Sequence, residues 1–143
     1  MPALVSIAAD APDLRSALET AELPTDDIAE PGRSFFRYDD GGEPVGYGGY
    51  ELHGEHVLLR SVVVLPTRRG KGLGRDLAEA VLAEAAAAGA RRAWLLTTTA
   101  EDFFVHWGFS RIHRNTAPQA ILETRQAATI CTTAALLTRT LDG

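Results

Sequence analysis

The apolar residues fall into short blocks separated by glycine, proline and acidic positions. The first block, "ALVSIAA" at residues 3–9, has the length of a strand. Leu14, Ala17, Leu18 and Ala21 then recur at helical spacing, which predicts a helix over about Ala11–Ala21 with Asp10 as N-cap and Pro12 in the first turn. "LPTDDIAEPG" carries two prolines and a glycine and reads as a loop, with Thr25 as a possible cap. "RSFFRYD", "EPVGYGGYEL" and "VLLRSVVVL" are strand candidates, and the turn residues Asp39 to Gly42 and "HGEH" fold them into an antiparallel meander.

A glycine-rich turn follows, and "LGRDLAEAVLAEAAAAGA" then sets Leu73, Leu77, Ala80 and Val81 on one helical face among strong helix formers. Gly89 stands where a C-terminal glycine cap belongs. "RRAWLLTTT" predicts a buried strand, "AEDFFVHWG" a short helix, "FSRIHR" a strand, "PQAILETRQA" a short helix and "TAALLTRTL" a closing strand. The order predicts an α+β fold of mixed α/β layers, with a mostly antiparallel sheet of about six or seven strands and helices on its faces. A length of 143 residues suits one domain spanning residues 1–143.

Composition narrows the function classes. With 45% apolar and 23% charged residues, the chain reads as an ordinary globular domain. No stretch approaches the roughly 18–20 apolar residues that span a bilayer, and the start lacks a basic leader region, so no membrane role and a cytoplasmic setting are expected. A lone Cys131 can form neither an internal disulfide nor a thiolate metal cluster, and no metal is expected. Net charge is −5, which opposes nucleic acid, yet Arg68, Arg69, Lys71 and Arg75 gather positive charge locally. Such a patch suits a small polyanion better than an extended one.

That patch lies in "SVVVLPTRRGKGLGRDL", Ser61 to Leu77. A strand that ends in a glycine turn and feeds a helix presents free N–H groups at the positive end of the helix dipole. Gly70, Gly72 and Gly74 let the backbone approach an anion without Cβ obstruction, and the surrounding chemistry favours pyrophosphate. The Walker spacing fails because Leu73 and Gly74 follow Lys71 and Gly72, and the dinucleotide spacing fails because the third glycine comes one residue early.

The remaining pattern, Arg69-x-x-Gly72-x-Gly74 after "VVVLP", resembles the acetyl-coenzyme A loop of the Gcn5-related N-acetyltransferase (GNAT) superfamily. "AEDFFVHWGF" from Ala100 to Phe109 resembles a second segment of that family. More narrowly, "ELPTDDIAEPGRSFFRY", "LLTTTAEDFF" and "APQAILETRQAATIC" resemble a small subfamily associated with bacterial arsenic-resistance operons, although Thr132 stands where that pattern has proline. The resemblance implies acetyl transfer from acetyl-CoA to the amine of a small molecule, by direct attack in a ternary complex. It also implies that Val62, Val63 and Val64 offer backbone groups to the pantetheine and thioester, with Val63 as oxyanion donor. By the same resemblance, Arg69, Gly70, Lys71, Gly72, Leu73, Gly74 and Arg75 hold the pyrophosphate and Phe103 lines the cofactor channel. A homodimer paired through terminal strands is a further implication.

The acid and base are less direct. Phe104 occupies the position where relatives place a tyrosine acid, leaving a water, His106 or unaided departure of the thiolate. Leu58 occupies the position of a common glutamate, so Glu51 becomes the carboxylate candidate for the base, with His53 and His56 next. Arg60 and Arg37 are candidates for an anionic group of the acceptor, and Thr97 is a further contact at a strand end. These departures leave two rivals: an acetyl-CoA-binding sensor without catalysis, and acetylation of a protein amine.

Overall fold

The computed structural model describes residues 2–23, 25–69, 72–98, 100–124, 127 and 134–141. Strands β1 (Pro2–Ile7), β2 (Arg33–Asp40), β3 (Glu43–His53), β4 (His56–Val64), β5 (Arg92–Thr97), β6 (Ser110–Ile112) and β7 (Ala135–Thr140) form one seven-stranded sheet in the order β1-β2-β3-β4-β5-β7-β6. Every neighbouring pair is antiparallel except β4 and β5. The predicted α+β architecture is therefore the observed one.

Helix α2 (Leu73–Ala87) covers one face. Its Leu77, Ala78, Val81, Leu82 and Ala85 are buried against Tyr50, Val57, Leu59 and Leu95 of the sheet. Burying such a stripe removes apolar area from water at about 25 cal/mol per Å². Gly89, with φ 110°, ends the helix as its spacing predicts. Helix α1 (Pro12–Thr20) covers the opposite face, where Leu14 and Leu18 pack with Ile28, Phe35, Tyr47 and Val63. Its N-cap is Ala11 rather than Asp10, and Ala11 has no side-chain oxygen to accept from the second or third helical N–H, while Pro12 takes the first helical position. Farther along that face, Leu58, Trp94 and Leu136 pack under Ile121 of α4 (Gln119–Leu122). Helix α3 (Glu101–His106) follows β5 and joins its aromatic residues to Phe109. Cys131 and Thr99 lie outside the described residues.

Candidate active site

The sheet is open at one place. Strands β4 and β5 pair only at His56–Arg92, Val57–Ala93 and Leu58–Trp94. On the outer sides, β3 stays paired with β4 as far as Val64 and β7 with β5 as far as Thr97. Beyond Leu58 and Trp94 the two central strands part, and their facing edges line a wedge. At its closed end, the Trp94 Nε1–H donates to His56 Nδ1 at 3.0 Å, which ties the strands together where they begin to separate.

A bulge in β4 accompanies the parting. Tyr47 lies opposite Val63 and Gly49 opposite Arg60, so β4 carries one residue more than β3 across this step. Ser61 takes the left-handed conformation, φ 59°. Such a bulge bends its strand and changes which backbone groups face each edge. The Leu65 N–H donates to Val45 O at 2.8 Å, and a Cβ on Gly46 would overlap the Val63 carbonyl oxygen, so Val63 faces β3. Strand alternation then turns Val62 and Val64 toward the wedge. Val63, expected as the oxyanion donor, thus has its backbone groups on the β3 side, and alternation turns the N–H groups of Val62 and Val64 to the wedge.

The wedge leads to the glycine turn. Gly72 caps α2 with φ 72° and, having no side chain, makes no cap hydrogen bond to the N–H groups of the first turn. Gly74 packs its bare α-carbon toward Val64, where a Cβ would lie 3.5 Å from Val64 Cγ2. The Arg69 Nε–H donates to Val64 O at 3.1 Å, placing its cation beside the same turn. Leu73 opens the helix, and Arg75 shares with Phe103, His106 and Trp107 a hollow of about 290 Å³. Gly70 and Lys71 lie outside the described residues. Free N–H groups at a helix start, a nearby cation and an open strand edge together fit a long thioester with a diphosphate.

Beside the wedge lies a buried charge cluster. The Arg60 guanidinium has no solvent exposure and donates from Nη1 and Nη2 to Asp27 Oδ2 and Oδ1 at 2.6 and 2.7 Å. Its Nη1 also donates to Glu51 Oε2 at 2.9 Å, and its Nε to Ser61 Oγ at 3.1 Å. Arg33 Nη2 donates to Asp27 Oδ2 at 3.2 Å and lies 3.6 Å from Glu51 Oε1. Burial works against an ionised Asp27, but hydrogen bonds and charge from Arg60 and then Arg33 outweigh it and hold its carboxyl below the ordinary range.

This cluster bears on the expectations for Arg60, Glu51 and His53, and a separate ion pair on that for Arg37. The Arg60 guanidinium is engaged by the protein's own carboxylates, and the residue also lines the chamber in the wedge. Glu51 is 1% exposed, with its oxygens among Arg60, Arg33 and His53, so it is not an open proton acceptor at the reacting nitrogen. His53 Nε2 lies 3.4 Å from Glu51 Oε1 at the hairpin end of β3, opposite His56. Neither His53 nor His56 is among the residues that line the chamber in the wedge. Arg37 is engaged by Asp39 through two hydrogen bonds of 2.8 and 3.0 Å on β2, away from the wedge.

Within the wedge is a chamber of about 210 Å³, lined by Leu23, Ser61, Val62, Leu96, Thr97 and Phe104 among others. Thr97, at the end of β5, lines this chamber, and its Oγ1 accepts the Ala100 N–H at 3.0 Å. Phe104 brings a hydrocarbon ring, in edge contact with Phe109. Sequence reasoning gave no role to Ser61 or Asp27, because the left-handed φ of the one and the partner 33 positions from the other are set by the fold.

A family model described as the acetyltransferase (GNAT) family matches residues 3–109. The chain belongs to that family. No curated protein sequence matches it significantly. Among solved structures, N-acetylglutamate synthase from Neisseria gonorrhoeae, complexed with coenzyme A and N-acetylglutamate, is similar at 17% identity and TM-score 0.77, over 100% of this chain and 36% of that one. The chain therefore spans about a third of that enzyme's length. A GNAT-family acetyltransferase from Staphylococcus aureus is similar at 16% identity and TM-score 0.73, covering 99% of this chain and 100% of that one. An IAA acetyltransferase from Bacillus cereus is similar at 16% identity and TM-score 0.69, over 99% and 100%. These likenesses establish the fold shared by this GNAT acetyltransferase. Among its described residues no helix is long and apolar enough to cross a membrane.

Proposed function

We propose that this acetyltransferase moves the acetyl group of acetyl-CoA to the amino group of a small molecule, by direct attack in a ternary complex. The observation that carries this reading is that β4, once parted from β5, ends at Val64 beside the glycine start of α2, where Gly74 packs on Val64. The parted strand edge accommodates an acyl-pantetheine arm and the helix start a diphosphate. Val62 and Val64 supply N–H groups to the carbonyl oxygen as it becomes negative, and Arg69, Arg75 and Phe103 border the rest of the donor.

A chamber of about 210 Å³ suits a compact amine rather than a peptide, with Thr97 as a contact. Amino-acid-like acceptors fit this size, and the similarity to an N-acetylglutamate synthase supports testing them. The resemblance to an arsenic-resistance subfamily adds amino-acid-like arsenicals to that class. With Glu51 enclosed, the acceptor enters as its free amine. A homodimer in a cytoplasmic setting, using neither nucleic acid nor membrane, completes the reading.

Phe104 and the enclosed Glu51 favour one rival, a module that binds acetyl-CoA without turning it over. Thiol release from acetyl-CoA, measured across free amino acids and arsenical analogues, separates the two. Turnover with a free amine is the expected result. Tight acetyl-CoA binding with no thiol released across the panel would favour the module, and turnover confined to protein amines would replace the small acceptor.

A further inference from the structure

Transfer by direct attack leaves a proton on nitrogen and a negative charge on sulfur, and the side chain at position 104 cannot connect them. The chamber holds one hydroxyl at the bulge itself. Ser61 is 9% exposed, lines the chamber with Val62, Thr97 and Phe104, and adopts φ 59°. A non-glycine residue in this region is uncommon and carries strain that the surroundings must hold. Its surroundings do so through Arg60, whose Nε–H donates to Ser61 Oγ at 3.1 Å. Arg60 is itself held by both oxygens of Asp27 and by Glu51. With that lone pair engaged, the Ser61 hydroxyl hydrogen points away from Arg60, and the adjacent cation favours negative character on the oxygen.

Building on the acetyl-transfer reading, we propose that Ser61 is a catalytic residue, a hydroxyl relay between the attacking nitrogen and the departing sulfur, with Arg60 as its positioning residue. The amine lone pair forms the C–N bond as the C–S bond breaks and its electrons stay on sulfur. Sulfur takes the Ser61 Oγ proton while Ser61 Oγ takes a proton from nitrogen. Serine ends as it began, and the net movement is one proton from nitrogen to sulfur. The relay replaces the phenol absent at Phe104 and requires no carboxylate in the chamber.

The test uses Ser61→Ala, Ser61→Gly and Ser61→Cys in the full chain. Ser61→Gly also removes the strain of a positive φ, so a loss common to Ala and Gly belongs to the hydroxyl. The expected result for both is a fall in kcat of about 100-fold or more, with acceptor KM and CoA affinity within about threefold of the parent. Ser61→Cys, which keeps a transferable proton, recovers part of that loss. A second measurement needs no acceptor: the ultraviolet titration of the CoA thiol bound to the protein. Losing a hydrogen-bond donor to the thiolate raises that thiol's pKa by about one unit in Ser61→Ala. An unchanged kcat, a loss confined to KM or CoA affinity, or an unchanged thiol titration would overturn the Ser61 assignment. Absence of turnover by the parent with every amine would overturn the transfer reading instead, and the thiol titration would still decide whether Ser61 meets the sulfur.

Discussion

Asp27 and Arg60, 33 positions apart in sequence, form a two-pronged ion pair at 2.6 and 2.7 Å with neither side chain exposed to solvent. It fastens the loop before β2 to the bulged strand of the wedge. Glu51 and Arg33 complete a cluster of two carboxylates and two guanidinium groups. Removing either central partner leaves a buried charge in excess. Asp27→Asn is expected to lower unfolding free energy by about 3–5 kcal/mol, read from denaturant midpoints.

The same pair sets an acid limit. The folded-state pKa of Asp27 lies below its unfolded value, because the two arginines outweigh burial. Its stabilisation is complete above the ordinary aspartate range of about 3.9 and is lost as pH falls through the lowered folded value. Unfolding midpoints measured from about pH 6 to pH 2 should decline across that window. In Asp27→Asn the decline should be shallower.

Gly72 tests the donor site. Its φ is 72°, and among the described residues beyond its chain neighbours no atom lies within 4 Å of the place a Cβ would take, so a side chain there meets conformational strain first. Gly72→Asn, which tolerates the left-handed region, should keep the fold with only modestly weaker CoA binding. Gly72→Glu adds an anion at the α2 start and should abolish CoA binding, measured by calorimetry. Unchanged affinity in Gly72→Glu would remove this turn from the donor site.

Glu51 gives a test of the base. As a member of the buried cluster it should matter for stability more than for proton removal. Glu51→Gln is expected to lower the unfolding midpoint while the pH profile of kcat/KM keeps its shape, governed by the acceptor's own amine. A lost acidic limb in that profile would return Glu51 to the reaction.

The closed end of the wedge depends on Trp94 and His56. Trp94 is 3% exposed, and its indole N–H uses His56 Nδ1 as acceptor. His56→Leu strands that donor and should cost about 1–3 kcal/mol, with a change in tryptophan fluorescence marking the altered indole environment.

Local features were legible in sequence. Leu77 and Val81 at helical spacing predict the face of α2 that is buried, and Gly89 marks its end, because periodicity and backbone freedom act over a few residues. The spacing of Arg69, Gly72 and Gly74 matched the family's loop pattern for the same reason, since a motif is a short-range feature, and the family match over residues 3–109 includes it. Apolar runs also announced the strands of the meander.

Tertiary structure decided what depends on register and distant charge. In "LLRSVVVL" nothing signals that one residue is inserted against β3, yet that insertion turns Val62 and Val64 rather than Val63 to the wedge and leaves Ser61 at its bend. Arg60, read along the chain, is a lone cation in an apolar strand that invites an external anion. Its partner instead comes from a loop 33 positions earlier, because a buried guanidinium is tolerated only where opposite charge meets it, and only the folded chain brings Asp27 there.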